Sequence, residues 1–352
     1  MTLRFTARVL AAIGLMPVFA QTPTDFRFGP DGVFTLMQVT DIQDDDTPKP
    51  RVAAFLDGAV KRHKPDLIVI TGDNTYGCSR KGAFEKSVSA FVEVFKTNKT
   101  FFAVTFGNHD SEKKGNEYYT RDEQYALYKK MGGGFFADHD VPGLSGTGSG
   151  VIPLRSAADG RVRFNIFLMD SGAAVKGGYD GVRGDQIKWY EETGGNVPCL
   201  WFQHIIVPDI YETGLLIPVA TNTPKCVIRT KGPWAGRGFL LDQGRAAGFL
   251  TEQPGPTLHT AYTNALHTHE GRTLYGSWRK TGNLKGAYFG HDHNNTFDGT
   301  DTNGIRLGYT PAATLQAYNR NNPGLRVFRI KENGTYTTRI IKESDLKRRE
   351  RE

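Results

Sequence analysis

Leu67-Ile68-Val69-Ile70-Thr71 runs directly into Gly72-Asp73-Asn74. The first five residues are apolar and β-branched, the pattern of a strand buried on both faces. The three that follow place a carboxylate just beyond the strand's end. The same junction recurs on either side. Val33–Thr40 leads to Asp41-Ile42-Gln43, Phe101–Phe106 to Gly107-Asn108-His109-Asp110, and Ala287–Phe289 to Gly290-His291-Asp292-His293, while Leu200-Trp201-Phe202 delivers His204. Strand ends converging on one sheet edge can gather Asp, Asn and His around two metal ions. Ions about 3.5–4 Å apart stabilise the attacking and leaving oxygens of an in-line phosphoryl transfer.

Helical patterns alternate with these strands. Arg51–Lys64 places Val52, Phe55, Leu56, Ala59 and Val60 on one face, and Phe84, Val88, Phe91, Val92 and Phe95 form a second stripe. Thr120-Arg121-Asp122-Glu123 has the capping-box spacing that opens a helix. Arg163–Asp170 reads as a strand followed by a Gly-rich loop through Gly184, Gln186–Glu192 as a short helix, and Asn333-Gly334 as the turn of a hairpin. Thr213–Asn283 shows weak periodicity and scattered Gly and Pro, and reads as loops and short helices forming an active-site rim. Alternating β and α elements predict α/β layers. No repeat, linker or composition break divides the chain, so one domain is expected over residues 21–345, with a basic/acidic tail over 346–352.

The ends of the chain point to export. Arg4 and Arg8 precede an apolar run, Val9–Ala20, and Val18-Phe19-Ala20 before Gln21 fits a small-residue cleavage site. A bilayer crossing needs roughly 20 apolar residues, more than this run supplies. A signal peptide over residues 1–20 and a secreted or periplasmic mature chain with no stable membrane anchor are therefore expected. Cys78, Cys199 and Cys226 allow at most one disulfide and lack the spacing of a structural zinc site. Asn98, Asn294 and Asn333 each open a glycosylation sequon. The net charge of +7 favours anionic partners in general. The most obvious basic run, at the C-terminus, is interleaved with Glu, and no basic, aromatic-interleaved groove is visible, so specific nucleic-acid binding is not expected.

The order and spacing of the five clusters resemble the calcineurin-like metallophosphoesterases. Met169-Asp170-Ser171-Gly172, Gly184–Tyr190 and Gln203-His204 with Val207-Pro208 look like their single-domain branch related to purple acid phosphatases. The resemblance covers roughly Thr35–Thr310. It implies a four-layer α/β/β/α sandwich with two central mixed β-sheets. It also implies two divalent or trivalent ions, of Fe, Mn or Zn, and hydrolysis of a phosphate-ester substrate by a metal-bound hydroxide, monoesters ahead of diesters. By the same resemblance Asp41 and His293 hold the first ion, Asn108, His204 and His291 the second, and Asp73 bridges both. His109 protonates the leaving oxygen. Asp110 would accept from the other ring nitrogen and favour the imidazolium.

Gln43 departs from the family, whose motif there is Asp-x-His. Three readings stand open: ligation through the amide oxygen, a water in its place, or a weak first site. Imidazole is the better donor for borderline metals. A single-metal binding protein of low activity is the rival the departure motivates. Asp44, Asp45 and Asp46 follow at once and read as a solvated acidic loop, with one of them a possible substitute ligand. No Gly-x-Ser-x-Gly elbow is present, and no side-chain nucleophile is required. Tyr76 follows Asp73 at the spacing of the purple enzymes' tyrosine ligand, but their Asp-x-Gly motif is absent and the purple colour is not favoured. His139, His259, His267 and His269 lie in loop-like sequence and read as solvated, though the His267-x-His269 pair could touch substrate or metal. Asn294 and Asn295 read equally as phosphate contacts or turn residues.

Overall fold

The computed structural model describes residues 25–76, 80–113, 117–176, 178–255, 265–318 and 323–348. The expected signal peptide, Cys78 and His259 lie outside them.

Side-chain alternation along the strands divides the interior into three layers of packing. In Leu67–Thr71, Ile68 and Ile70 pack with Val52, Phe55, Leu56, Phe84, Val88 and Phe91 of two outer helices. Leu67 and Val69 face the other way and pack against Ile166, Leu168, Leu200 and Phe202 of a second sheet. On that sheet, Phe167, Met169 and Trp201 turn outward against Ile187, Tyr190 and Trp278 of the opposite helices. Helix, sheet, sheet and helix therefore stack in four layers, the architecture the resemblance implies.

The first sheet has five strands, ordered Tyr336–Lys342, Gly324–Lys331, Val33–Val39, Leu67–Thr71 and Phe101–Thr105. The last three run parallel, and Gly324–Lys331 runs antiparallel to both its neighbours. Helices Pro50–His63, Ala83–Thr97 and Arg121–Gly132 belong to its outer face. The last opens on the expected cap, with the Thr120 hydroxyl accepting from the Glu123 N–H. The second sheet has eight strands. At its centre Val162–Met169, Cys199–Gln203, Leu284–Phe289 and Arg306–Tyr309 are parallel. Parallel neighbours end at the same edge, which brings the clusters after five strands of the two sheets together.

Three expectations need correction. Thr213–Asn283 is not only loops and short helices. It holds a three-stranded antiparallel sheet of Leu216–Val219, Gly238–Leu241 and Val227–Ile228, the strand Ala246–Ala247, and the helix Leu274–Thr281. Strands this short leave too few residues for a two-residue period to show. The Gly-rich stretch after Asp170 likewise contains the paired strands Ala174–Val175 and Gly178–Tyr179. Residues 346–348, expected in a tail, complete the helix Glu343–Arg348, and Leu346 packs against the helical side of the core. The Asn333-Gly334 turn does join two paired strands, with Gly334 at φ 84°. Among the described residues no helix is long and apolar enough to cross a membrane, and Cys199 and Cys226 are free thiols.

Candidate metal centre

Each candidate residue sits within a few positions of a parallel strand's C-terminal end. Four of them, Asp41, Gln43, Asp73 and His291, hold left-handed φ values of 51°, 45°, 50° and 72°. Non-glycine residues rarely adopt that region, and such strain collects where side chains must be aimed at a site. Glycines let the strand ends close in. A Cβ on Gly107 would lie 2.3 Å from Asp73 Oδ1, and one on Gly290 would lie 2.0 Å from Thr40 Oγ1 and 2.7 Å from Asp41 Oδ2.

The side chains meet in a buried cluster. Asp73 Oδ2 lies 3.1 Å from His204 Nε2 and Asp41 Oδ1 lies 3.2 Å from His293 Nε2. His204 Nε2 is 3.9 Å from Asp41 Oδ1, so the two pairs adjoin. Asp73, His204 and His291 offer donor atoms all within 4.8 Å of one another. Backbone contacts aim these groups. The Thr71 carbonyl lies 3.0 Å from His204 Nδ1, which turns Nε2 to the centre. Asp41 Oδ2 accepts the His291 N–H at 3.0 Å and the Thr40 hydroxyl at 2.7 Å, leaving Oδ1 facing inward.

Gln43 Oε1 and Asn108 Oδ1 are buried without a hydrogen-bond partner, while Asp41 Oδ1 and His204 Nε2 have only the carboxylate–imidazole pairings just described. Burying such atoms unpaired costs on the order of 1–3 kcal/mol each. Carboxylate, amide oxygen and imidazole together form a donor set suited to Zn, Fe or Mn, and convergence of donors of those types is what a metal site requires. Charge agrees. Burial alone would push His204 down, but Asp73 and then Asp41 outweigh it and hold it up at about 9. Burial would raise Asp73, yet His204 holds it well below the usual carboxylate range. His291, by contrast, is pushed down to about 3 by burial, with the His204 charge adding. The two carboxylates are thus held ionised by the imidazoles beside them, and His291 is disposed as a neutral donor.

The structure corrects the expected partner of His109. Asp110 does not face the imidazole. Its Oδ2 accepts the backbone N–H groups of Asp73 at 2.9 Å and Gly107 at 2.7 Å, and its Oδ1 accepts that of Asn74 at 2.9 Å. His109–Ser111 form one turn of 3₁₀ helix, which points consecutive side chains in different directions. Glu112 takes the place beside the ring, with Oε1 2.6 Å from His109 Nδ1. Burial, then the neighbouring Asp73 charge, pushes Asp110 up to about 6.

Around the centre opens a cleft of about 770 Å³, with Gln43, Tyr76, His109, Tyr179, Glu252 and Tyr318 on its walls. Tyr318 stacks on His293 with ring centroids 4.3 Å apart, and its hydroxyl donates to Glu252 Oε2 at 2.8 Å. Tyr179 meets His291 edge-on at 4.4 Å. No local motif marks Tyr318, Tyr179, Glu252 or Glu112. Tyr318, Tyr179 and Glu252 flank the His-cluster strand end in space, and Glu112 follows Asp110 by two residues.

Other candidates lie elsewhere. Asp44 accepts the backbone N–H groups of Lys49 and Asp45 and the Gln316 side-chain amide, so it ties a loop together. It is buried, not solvated as expected. His267 Nε2 sits 3.2 Å from Asp180 Oδ1, and His269 lies by Glu191 and Glu270, whose carboxylates pair with Arg272 and Lys280. Asn295 Oδ1 accepts the N–H groups of Thr251 and Glu252, a loop-holding role.

Comparison with known proteins shows the chain's family. A family described as calcineurin-like phosphoesterase matches residues 34–295. "Probable inactive purple acid phosphatase 29" of Arabidopsis thaliana is 24% identical over 88% of this chain and 80% of that protein. "Probable inactive purple acid phosphatase 14" of the same plant is 24% identical over 83% of this chain and 73% of its own. Among solved structures, GAP50, the anchor in the inner membrane complex of Plasmodium, aligns with 88% of this chain and 85% of its own at 10% identity and a TM-score of 0.45.

Proposed function

We propose that this chain, which belongs to the calcineurin-like phosphoesterase family, is an exported phosphoesterase that hydrolyses phosphate esters at the Asp41–His293 and Asp73–His204 cluster. The observation that carries the reading is the buried cluster at the ends of parallel strands in which Asp73, His204 and His291 offer donor atoms within 4.8 Å of one another, beside the Asp41–His293 pair. Asp41 and His293, with Gln43, would hold one ion; Asn108, His204 and His291 the other; Asp73 would be shared. Bound there, the ions supply Lewis-acid neutralisation of phosphoryl oxygens and acidify water. The chain's own residues do the rest. The Thr71 carbonyl and the His291 N–H orient the donors, the cleft receives the ester, and His109 holds the proton for the leaving oxygen at Nε2. That atom lies 3.9 Å from Asp73 Oδ2, at the edge of the cluster.

The phosphatase names of the relatives support monoesters ahead of diesters. Export rests on the Arg4/Arg8 and Val9–Ala20 pattern, with cleavage after Ala20; intact mass of the secreted chain tests it, and a mature chain beginning at Met1 refutes it. The word "inactive" in those names, with Gln43 where the family has His, favours a second reading: a weak binder of one ion.

One experiment separates the two. Chelated protein is reconstituted with Fe, Mn or Zn, its metal content measured, and a panel of mono- and diesters offered. Two ions per chain with metal-dependent turnover support hydrolysis. One ion per chain and no turnover support the binder.

A further inference from the structure

We propose that Glu112 is a positioning residue: it fixes the His109 ring so that Nε2, not Nδ1, exchanges a proton with the ester. The role rests on the hydrolytic reading above but concerns a residue outside the family's motif.

Three contacts converge on His109. Its backbone N–H donates to Asp73 Oδ1 at 2.7 Å, which pins the main chain to the centre. The Glu112 N–H donates to the His109 carbonyl at 3.1 Å, closing the turn. That turn brings Glu112 Oε1 to 2.6 Å from His109 Nδ1. An ionised carboxylate only accepts, so Nδ1 must carry the hydrogen. Nε2 is then the atom left for transfer, and it is the one on the Asp73 side, 3.9 Å from Oδ2. Asp110, the residue whose sequence position suits the task, is spent on three backbone N–H groups.

The pair is partly exposed, with side chains 33% and 40% accessible. Solvent screens an exposed ion pair to little net stability. Its value is therefore in orientation: without Glu112 the imidazole is free to rotate and to adopt the other tautomer. A group at this exposure is also replaceable without a buried defect, so variants should fold.

The test has two arms. In the first, ¹⁵N imidazole spectra of the neutral ring, assigned by loss of the signal in His109→Gln, report the tautomer. Wild type is expected to show hydrogen on Nδ1, and Glu112→Ala to move toward Nε2–H. In the second, metal content and kinetics are compared for an alkyl and a 4-nitrophenyl monoester. A complete leaving-group acid is worth about 10²–10⁴-fold, so partial misorientation in Glu112→Ala should cost about 10-fold in kcat for the alkyl ester and under about 3-fold for the nitrophenyl ester. Bound metal should be unchanged, and Glu112→Gln, whose amide oxygen still accepts, should recover most of the loss. Equal losses on both esters, no loss, or an unaltered tautomer overturns the proposal. If wild type hydrolyses no ester at all, the hydrolytic reading fails, and the spectra still decide whether Glu112 sets the ring.

Discussion

The Asp110 carboxylate accepts the backbone N–H of Asp73 at 2.9 Å, across from one strand end to the next. With the Asn74 and Gly107 N–H groups it collects three donors from two loops. The acid thus fixes the relative position of Asp73 and Asn108, two of the candidate ligands, from behind the centre.

Replacing Asp110 by Asn should therefore act on both loops at once. The amide keeps one acceptor oxygen, while its NH₂ would face a backbone N–H. A buried donor left unpaired costs about 1–3 kcal/mol. Asp110→Asn is expected to lower the unfolding free energy measured in urea by that amount and to weaken metal retention. Unchanged stability and metal content would show that the three contacts are dispensable.

Much of this site was legible because sequence states both of its ingredients. Apolar runs such as Leu67–Thr71 announce buried strands, and Gly followed by Asp, Asn or His announces a tight strand end. The Asp110 role was not legible, because adjacency to His109 says nothing of which way a 3₁₀ turn points the next side chain. Asp44 looked solvated since its partners, Lys49 and Gln316, are fixed by tertiary structure. Tyr318 and Glu252 flank the cleft through contacts that span tens of residues. The strands within 213–283 were hidden by their brevity.

Arg121 supplies a second support. Its Nη2 donates to the carbonyls of Gly107 at 2.6 Å and Gly172 at 3.1 Å, its Nε to Ser111 Oγ at 2.7 Å, and its Nη1 pairs with Asp170. It holds both ends of the His109 turn against the second sheet. Arg121→Ala leaves the buried Asp170 charge without its cation, held only by the Thr147 and Gly172 N–H groups, which should cost about 3–5 kcal/mol in urea unfolding. Arg121→Lys, which keeps the charge but not the planar fork, should recover only part. A full recovery would show that charge alone matters.

Acid stability should depend on a group far from the centre. The Arg51 guanidinium bonds both Glu343 oxygens, at 2.8 and 2.5 Å, and with Lys347 holds this carboxyl down at about 2, against an ordinary 4.5. A carboxyl with a lowered folded value stabilises the fold above its unfolded value and loses that contribution as pH falls through the folded one. The window is therefore pH 4.5 down to about 2. Glu343→Gln should unfold at lower urea than wild type at pH 6 and converge on it toward pH 2. Parallel curves across that window would contradict the linkage.

Gln43 is where this chain breaks its family's pattern, and the geometry makes the departure testable. The side chain is buried, Nε2 lies 3.4 Å from Asp73 Oδ2, and Oε1 has no partner. The amide nitrogen leans on the shared acid, and the oxygen, buried with no donor, is the atom that ligation would use. Asp44, the obvious substitute, is committed to its loop. Imidazole is a stronger donor than an amide oxygen for Zn or Fe. Gln43→His should therefore tighten the first ion, by about tenfold or roughly 1.4 kcal/mol. Turnover at limiting metal should rise, whereas turnover at saturating metal need not, because a tighter ion does not by itself make water a better nucleophile. A calorimetric metal titration of wild type and variant, run beside hydrolysis, reads both. An unchanged half-saturation would place Gln43 outside the coordination sphere and return the position to a water.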